Sequence, residues 1–232
     1  MSGTLLQINH VSKSYQDGED KKTVLHDVSF KVDAGEIVAI IGPSGSGKST
    51  LLSIAGMLLS PDEGEVYIAG DAVSKLRRSK WGNVRKNRIG FIFQSHQLLP
   101  YLKTKDQLDM FQSREYRGKV DTEELLKELD IVSCRNKYPS KMSGGEKQRT
   151  AIARALINDP DIILADEPTA SLDSERGHKA VEMIRNAVKK RGKAAVIVTH
   201  DERILDLMDR IYRLENGVLL TASAVSSAGV AE

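Results

Sequence analysis

The sequence predicts an α/β fold built on a parallel sheet, and three observations carry that prediction. Short, nearly continuous apolar runs recur at 36–42 ("EIVAIIG"), 161–166 ("DIILAD") and 194–200 ("AAVIVTH"), as expected for strands covered on both faces. Segments of helical character alternate with them: "STLLSIAGMLL" after the first run, "GGEKQRTAIARALIND" before the second and "SERGHKAVEMIRNAVKKRG" before the third. A glycine-rich stretch, "GPSGSGKST" at 42–50, joins the first run directly to the first helix.

Taken in chain order, residues 4–9 and 24–32 are β-branched and alternating, with a polar, Gly-containing link between them, and predict an antiparallel β subdomain. From about 95 to 142 the character changes. No convincing strand is visible there, and "TEELLKELD" at 122–130 is amphipathic, so the region is predicted to be an inserted α-helical subdomain. "LENGVLLT" at 214–221 predicts a hairpin turning on Asn216-Gly217. The domain is therefore expected over 1–222, followed by a small-residue-rich tail at 223–232 that does not pack.

Composition narrows the function by exclusion. With 40% hydrophobic residues in 232, a packed core is available, and a net charge of +2 removes any global electrostatic case for nucleic acid. The single cysteine, Cys134, excludes an internal disulfide framework and is expected to be a small apolar residue. No signal peptide is evident and no run approaches the roughly 18 apolar residues of a membrane span, so a soluble, cytoplasmic chain is expected.

The chemistry begins at "GPSGSGKST", which fits G-x-x-x-x-G-K-[ST] in the strand–loop–helix context that this phosphate-binding loop requires. Gly42, Gly45 and Gly47, with Ser44 and Ser46 between them, let the backbone turn successive N–H groups toward phosphate oxygens. Lys48 reaches the β- and γ-phosphates, the Ser49 hydroxyl suits Mg²⁺, and Thr50 lies by the α-phosphate. The run at 161–166 delivers Asp166 to a strand end as a metal holder, with Glu167 beside it as the base that activates water. His200, ending the third run, is expected to project toward the γ-phosphate.

A second glycine pair stands in "KMSGGEKQR" at 141–149. Ser143 and Glu146 are in capping-box register, but a cap needs no Gly-Gly, and two bare glycines at a helix start make a second anion site. One compact chain does not readily bring both loops to one γ-phosphate. A second copy of the chain can supply the other half.

In this order and spacing, "GPSGSGKST", "MSGGEKQR", "ILADEPTASLD" and "VTH" resemble the nucleotide-binding subunit of an ATP-binding cassette (ABC) transporter, over about residues 4–220. The resemblance implies a P-loop NTPase core, ATP with Mg²⁺, and a head-to-tail dimer. Each ATP would lie between the P-loop of one copy and Ser143, Gly144, Gly145 and Glu146 of the other. It further implies that Tyr15 stacks on adenine, that Gln94 joins the Mg²⁺ site to the helical subdomain, and that Asp173 crosses between cassettes. Met142 and Glu146 depart mildly from the family's usual leucine and glutamine.

The stretch "IGFIFQSHQLLPYLKTKDQL" resembles the branch whose membrane permeases carry large extracytoplasmic domains. That branch includes lipoprotein-release, macrolide-efflux, peptide-antibiotic-detoxifying and haem-efflux systems, and this stretch and the length are most similar to bacterial haem-exporter ATPases. The implied location is the cytoplasmic face of the membrane, held by the permease. Within the stretch, "LLPYL" at 98–102 is too apolar for an ordinary exposed loop, and is either core or a groove for a permease helix. A P-loop GTPase is discounted because "NKYP" at 136–139 lacks the guanine-binding aspartate. The alternative from another class is a non-transport ABC ATPase acting on nucleic acid, through the acid-free basic stretch 75–88.

Overall fold

The computed structural model describes residues 3–18, 20–113, 120–170 and 172–221; the predicted tail at 223–232 lies outside them. Ten strands, β1 (Thr4–Asp17), β2 (Asp20–Asp33), β3 (Ile37–Ile41), β4 (Glu63–Ile68), β5 (Asp71–Ala72), β6 (Ile89–Ile92), β7 (Ile162–Asp166), β8 (Ala194–Val198), β9 (Arg210–Glu215) and β10 (Val218–Thr221), form two sheets among the described residues. The helices are α1 (Lys48–Ala55), α2 (Arg78–Arg88), α3 (Thr104–Phe111), α4 (Thr122–Glu128), α5 (Gly144–Leu156) and α6 (Ser174–Arg191).

The larger sheet runs β10-β9-β3-β8-β7-β6, with β9 through β6 parallel and β10 antiparallel at one edge. Its three predicted apolar strands are buried along almost their whole length because both faces are covered. Side chains alternate between two cores. Val38, Ile40, Leu164, Val196 and Val198 pack with α1 and the smaller sheet, while Ile37, Ile163, Ala195 and Ile197 pack with α5 and α6. Leu108 of α3, Leu125 and Leu126 of α4, and Met142 just before α5, all from the region predicted as helical, join that same core.

The smaller sheet, β2-β1-β4-β5, is antiparallel. Its first two strands exceed the predicted pair: the residues expected to link them continue the ladder from Thr4–Asp33 to Asp17–Asp20 through register shifts. The shifts hid the strand, because His10 and Asp27 take positive φ (50° and 49°) and interrupt the alternation. The predicted hairpin at 214–221 is β9-β10, turning on Asn216 and Gly217.

Candidate active site

The carboxyl ends of β3, β7 and β8 converge with the loop at 42–47 on a cleft of about 660 Å³. Its walls include Gly42, Ser44, Gly45, Gly47, Lys48, Ser49, Thr50, Gln94, Asp166, Glu167 and His200. Two of the glycines here answer to this chain's own packing, and Gly45 to its positive φ of 79°. A Cβ at Gly42 (φ 153°) would stand 2.2 Å from the Leu214 carbonyl oxygen, and one at Gly47 (φ 103°) 2.9 Å from that of Val24. Lys48, nearly buried, donates from Nζ to the carbonyls of Gly42 and Pro43 at 2.8 Å each, so its ammonium sits inside the curl of the loop. Ser46 is buried with its hydroxyl unpartnered. Tyr15 stands at the cleft's edge, 42% exposed, its hydroxyl 3.4 Å from Thr50 Oγ1.

Asp166 and Glu167 differ in environment although adjacent. Burial, and then the charge of Glu167, push the Asp166 carboxyl above its ordinary range, against a Ser49 hydrogen bond and Lys48 that pull it down. A group so placed gains from a cation. Ser49, Asp166 and Gln94 offer only hard oxygen donors in one cleft, which fits Mg²⁺.

Glu167 is held in the left-handed region (φ 47°), a conformation that costs a non-glycine residue about 1–2 kcal/mol. Its surroundings over-determine it. The carboxylate accepts from Thr199 Oγ1 at 3.1 Å and the His200 N–H at 3.4 Å, pairs with His200 Nδ1 at 2.8 Å, and its own N–H donates to the Val198 carbonyl. Thr199, buried at the end of β8, was missed by sequence reasoning; only its place beside His200 in "VTH" signalled it.

The predicted second anion site lies elsewhere on this chain: Ser143, Gly144 and Gly145 are absent from the walls of the P-loop cleft. Ser143 and Glu146 form the predicted capping box at the start of α5, the Ser143 N–H donating to Glu146 at 2.8 Å. The Cys134 thiol and the Lys137 ammonium also donate to Glu146, at 3.0 and 2.9 Å, and together these hold its pKa down to about 2. Cys134 is buried as predicted, yet it is a donor as well as a filler. The glycine pair contrasts with the P-loop glycines. A Cβ at Gly144 would meet nothing nearer than Leu172 at 3.9 Å, and one at Gly145 nothing nearer than Arg149 at 3.6 Å, so this chain's packing does not require glycine at either position. Asp173 caps α6, accepting from the Arg176 N–H at 3.0 Å, and is half exposed.

A second cleft, about 570 Å³, opens between α2, β6 and α3, lined by Leu58, Phe91, Phe93, Leu99, Met110 and Phe111 with Arg85 and Lys86. The apolar row at 98–102 is divided between the two predicted fates: Leu98 packs on the core, Leu99 faces this groove, and Tyr101 is 70% exposed. Four of the seven basic residues in the stretch 75–88 have partners within the chain, and Arg77, Arg78 and Lys80 are exposed. Lys75 pairs with Glu65, Arg78 donates to Ser60, Arg85 to the Met57 carbonyl, and Arg88 to Asp71 and Asp161.

Residues 25–170 match the family model described as ABC transporter. The chain is 42% identical over 232 residues to the lipoprotein-releasing system ATP-binding protein LolD of Shewanella frigidimarina, covering 98% of this chain and 97% of the relative. It is also 42% identical over 223 residues to the putative hemin import ATP-binding protein HrtA of Staphylococcus saprophyticus subsp. saprophyticus, covering 94% and 99%. Among solved structures it resembles the ATP-binding cassette MJ0796, a dimer in a post-hydrolysis state bound to ADP and Pi. The TM-score is 0.84 at 37% identity over 95% of this chain and all of that one.

Proposed function

The chain belongs to the ABC transporter family as an ATP-hydrolysing subunit, and from that premise we propose that it works as a head-to-tail dimer driving a separate membrane permease. The observation that carries the reading is the contrast between the two glycine loops. Gly42 and Gly47 of the P-loop are required by contacts within the chain and Gly45 by its positive φ (79°), whereas the Gly144–Gly145 pair is required by neither, leaving bare backbone at a helix start for a phosphate bound by a second copy.

Each ATP then lies between the P-loop of one copy and Ser143, Gly144 and Gly145 of the other, with Tyr15 against adenine and Asp173 near the crossing. Lys48 exchanges its carbonyl partners for β- and γ-phosphate oxygens. Ser49, Asp166 and Gln94 would hold Mg²⁺, which would supply charge neutralisation at the phosphates. Glu167 takes the proton of the attacking water, and His200, on its carboxylate at 2.8 Å, keeps it oriented toward the γ-phosphate. Glu146 shapes the second loop through its capping box.

The second cleft is proposed as the seat of a short cytoplasmic helix of the permease: its wall is mostly apolar with Arg85, Lys86 and Arg154 among it, and Leu99 reaches it five residues after Gln94. Among the described residues no helix is long and apolar enough to cross a membrane, which suits a peripheral subunit held at the cytoplasmic face. A permease of the extracytoplasmic-domain type, and haem as cargo moved outward, are proposed on the resemblance of residues 89–108 and on the HrtA relatives, although those are named for import. The nucleic-acid alternative finds no support in the relatives, which are named for lipoprotein release and hemin import.

The test is to purify the chain with the membrane protein that accompanies it and measure ATPase activity in vesicles. Haemin is expected to stimulate turnover and to leave by the outward route. Stimulation by a lipoprotein instead overturns the haem assignment, and absence of any membrane partner overturns the transport reading.

A further inference from the structure

Arg154, near the end of α5, is a buried cation, 8% exposed, and no carboxylate pairs with it among the described residues. Burial alone depresses its pKa. Leaving such a charge in the interior is costly unless fixed dipoles satisfy it. Its partners are two consecutive backbone carbonyls, His96 at 2.8 Å and Gln97 at 2.5 Å, and its guanidinium lies 5.2 Å over the Phe111 ring. Both His96 (φ 60°) and Gln97 (φ 48°) are non-glycine residues in the left-handed region, an arrangement that survives only where the surroundings enforce it. This turn separates Gln94, in the nucleotide cleft, from Leu99, in the apolar groove. The same helix that carries Arg154 begins at the Ser143 loop.

We propose that Arg154 is a positioning residue: its forked guanidinium locks the strained His96–Gln97 turn, sets Gln94 in the nucleotide cleft, and ties that turn to the helix bearing the second glycine loop. Lysine is not equivalent: its ammonium can bond two carbonyls, as Lys48 does, but it lacks the rigid planar fork that fixes this geometry over the Phe111 ring. The inference rests on the reading of Gln94 as a group of the hydrolytic site.

The test uses the full soluble chain with Mg-ATP. Arg154→Lys is expected to lower kcat about ten- to a hundredfold while KM stays within about twofold, as when a reacting group is misplaced but binding is kept. Gln94→Ala should lower kcat similarly, and the double variant should fall no further, because one residue acts through the other. Glycine adopts the left-handed region without strain, so Gln97→Gly added to Arg154→Lys should recover much of the lost turnover and keep a chain that lacks the fork folded. Additive losses, an Arg154→Lys variant with unchanged kcat beside a defective Gln94→Ala, or no recovery by Gln97→Gly overturn the strut. An unaffected Gln94→Ala overturns the Gln94 assignment, and the strut with it. Lowered thermal stability with unchanged kcat marks Arg154 as structural only.

Discussion

At the scale of single residues, the arrangement around Glu167 separates binding from chemistry. On the proposed reading the P-loop and Lys48 bind phosphate, whereas Glu167, held by Thr199 and His200, contributes to the barrier alone. Glu167→Gln keeps the shape and loses the base. It should preserve ATP binding, lower kcat by about 10²–10⁴-fold, and accumulate an ATP-bound dimer on size-exclusion chromatography. Full activity in this variant would remove Glu167 from the role. Lys48→Ala should fail earlier, at nucleotide binding. Glu146 gives a pH signature of a different kind. Its folded pKa, about 2, lies below its ordinary 4.5, so its contribution to stability is complete above about pH 4.5 and is lost as pH falls toward 2. Glu146→Gln should flatten that limb, and melting temperatures between pH 5 and 2.5 read the difference. The residue types of the site were legible because a phosphate loop and a carboxylate pair have few substitutes. The backbone that aims them was not: Glu167, His96 and Gln97 are left-handed without being glycine, and nothing in their side chains announces it.

At the scale of elements, legibility followed burial. β3, β7 and β8 were readable as apolar runs because both faces are covered, while β4 escaped because its first three residues are Glu63, Gly64 and Glu65, and β6 because it has four residues. The groove shows the other limit. Leu99 could be singled out, but its companions Leu58, Phe91, and Met110 with Phe111, come from three separate segments that no local pattern joins. The structure also separates two residues that the sequence left together. A carboxylate at position 99 would lose its water among Leu58, Phe91, Met110 and Phe111 once the groove is filled, although Arg85, Lys86 and Arg154 stand on the same wall, whereas at 101 it stays in water. Leu99→Asp should therefore leave a folded chain that binds ATP and weaken permease capture by at least about tenfold, an effect set by that desolvation. Tyr101→Asp should retain capture. Unfolding of Leu99→Asp would assign the side chain to the core, and normal capture by it would remove the groove from the interface.

At the scale of the whole molecule, the decisive question is whether one chain's P-loop works with the other chain's glycine pair. Gly145→Asp is a suitable lesion, because a Cβ there meets nothing nearer than 3.6 Å and an acidic residue in the first turn of α5 suits the helix dipole. The isolated chain should keep its fold, and the damage should fall on a phosphate approaching from outside. Combined with Lys48→Ala in a tandem-linked dimer, it distinguishes the arrangements by simple geometry. Placed on opposite chains, the two lesions strike the same composite site and leave the other whole, so one ATP per dimer remains bound. Placed on one chain, they strike both sites, and stable occupancy should be lost. Counting ATP trapped per dimer in a Glu167→Gln background reads the difference without relying on turnover. Equal occupancy in the two constructions would mean that each cassette closes its own site, and the head-to-tail assignment would be withdrawn.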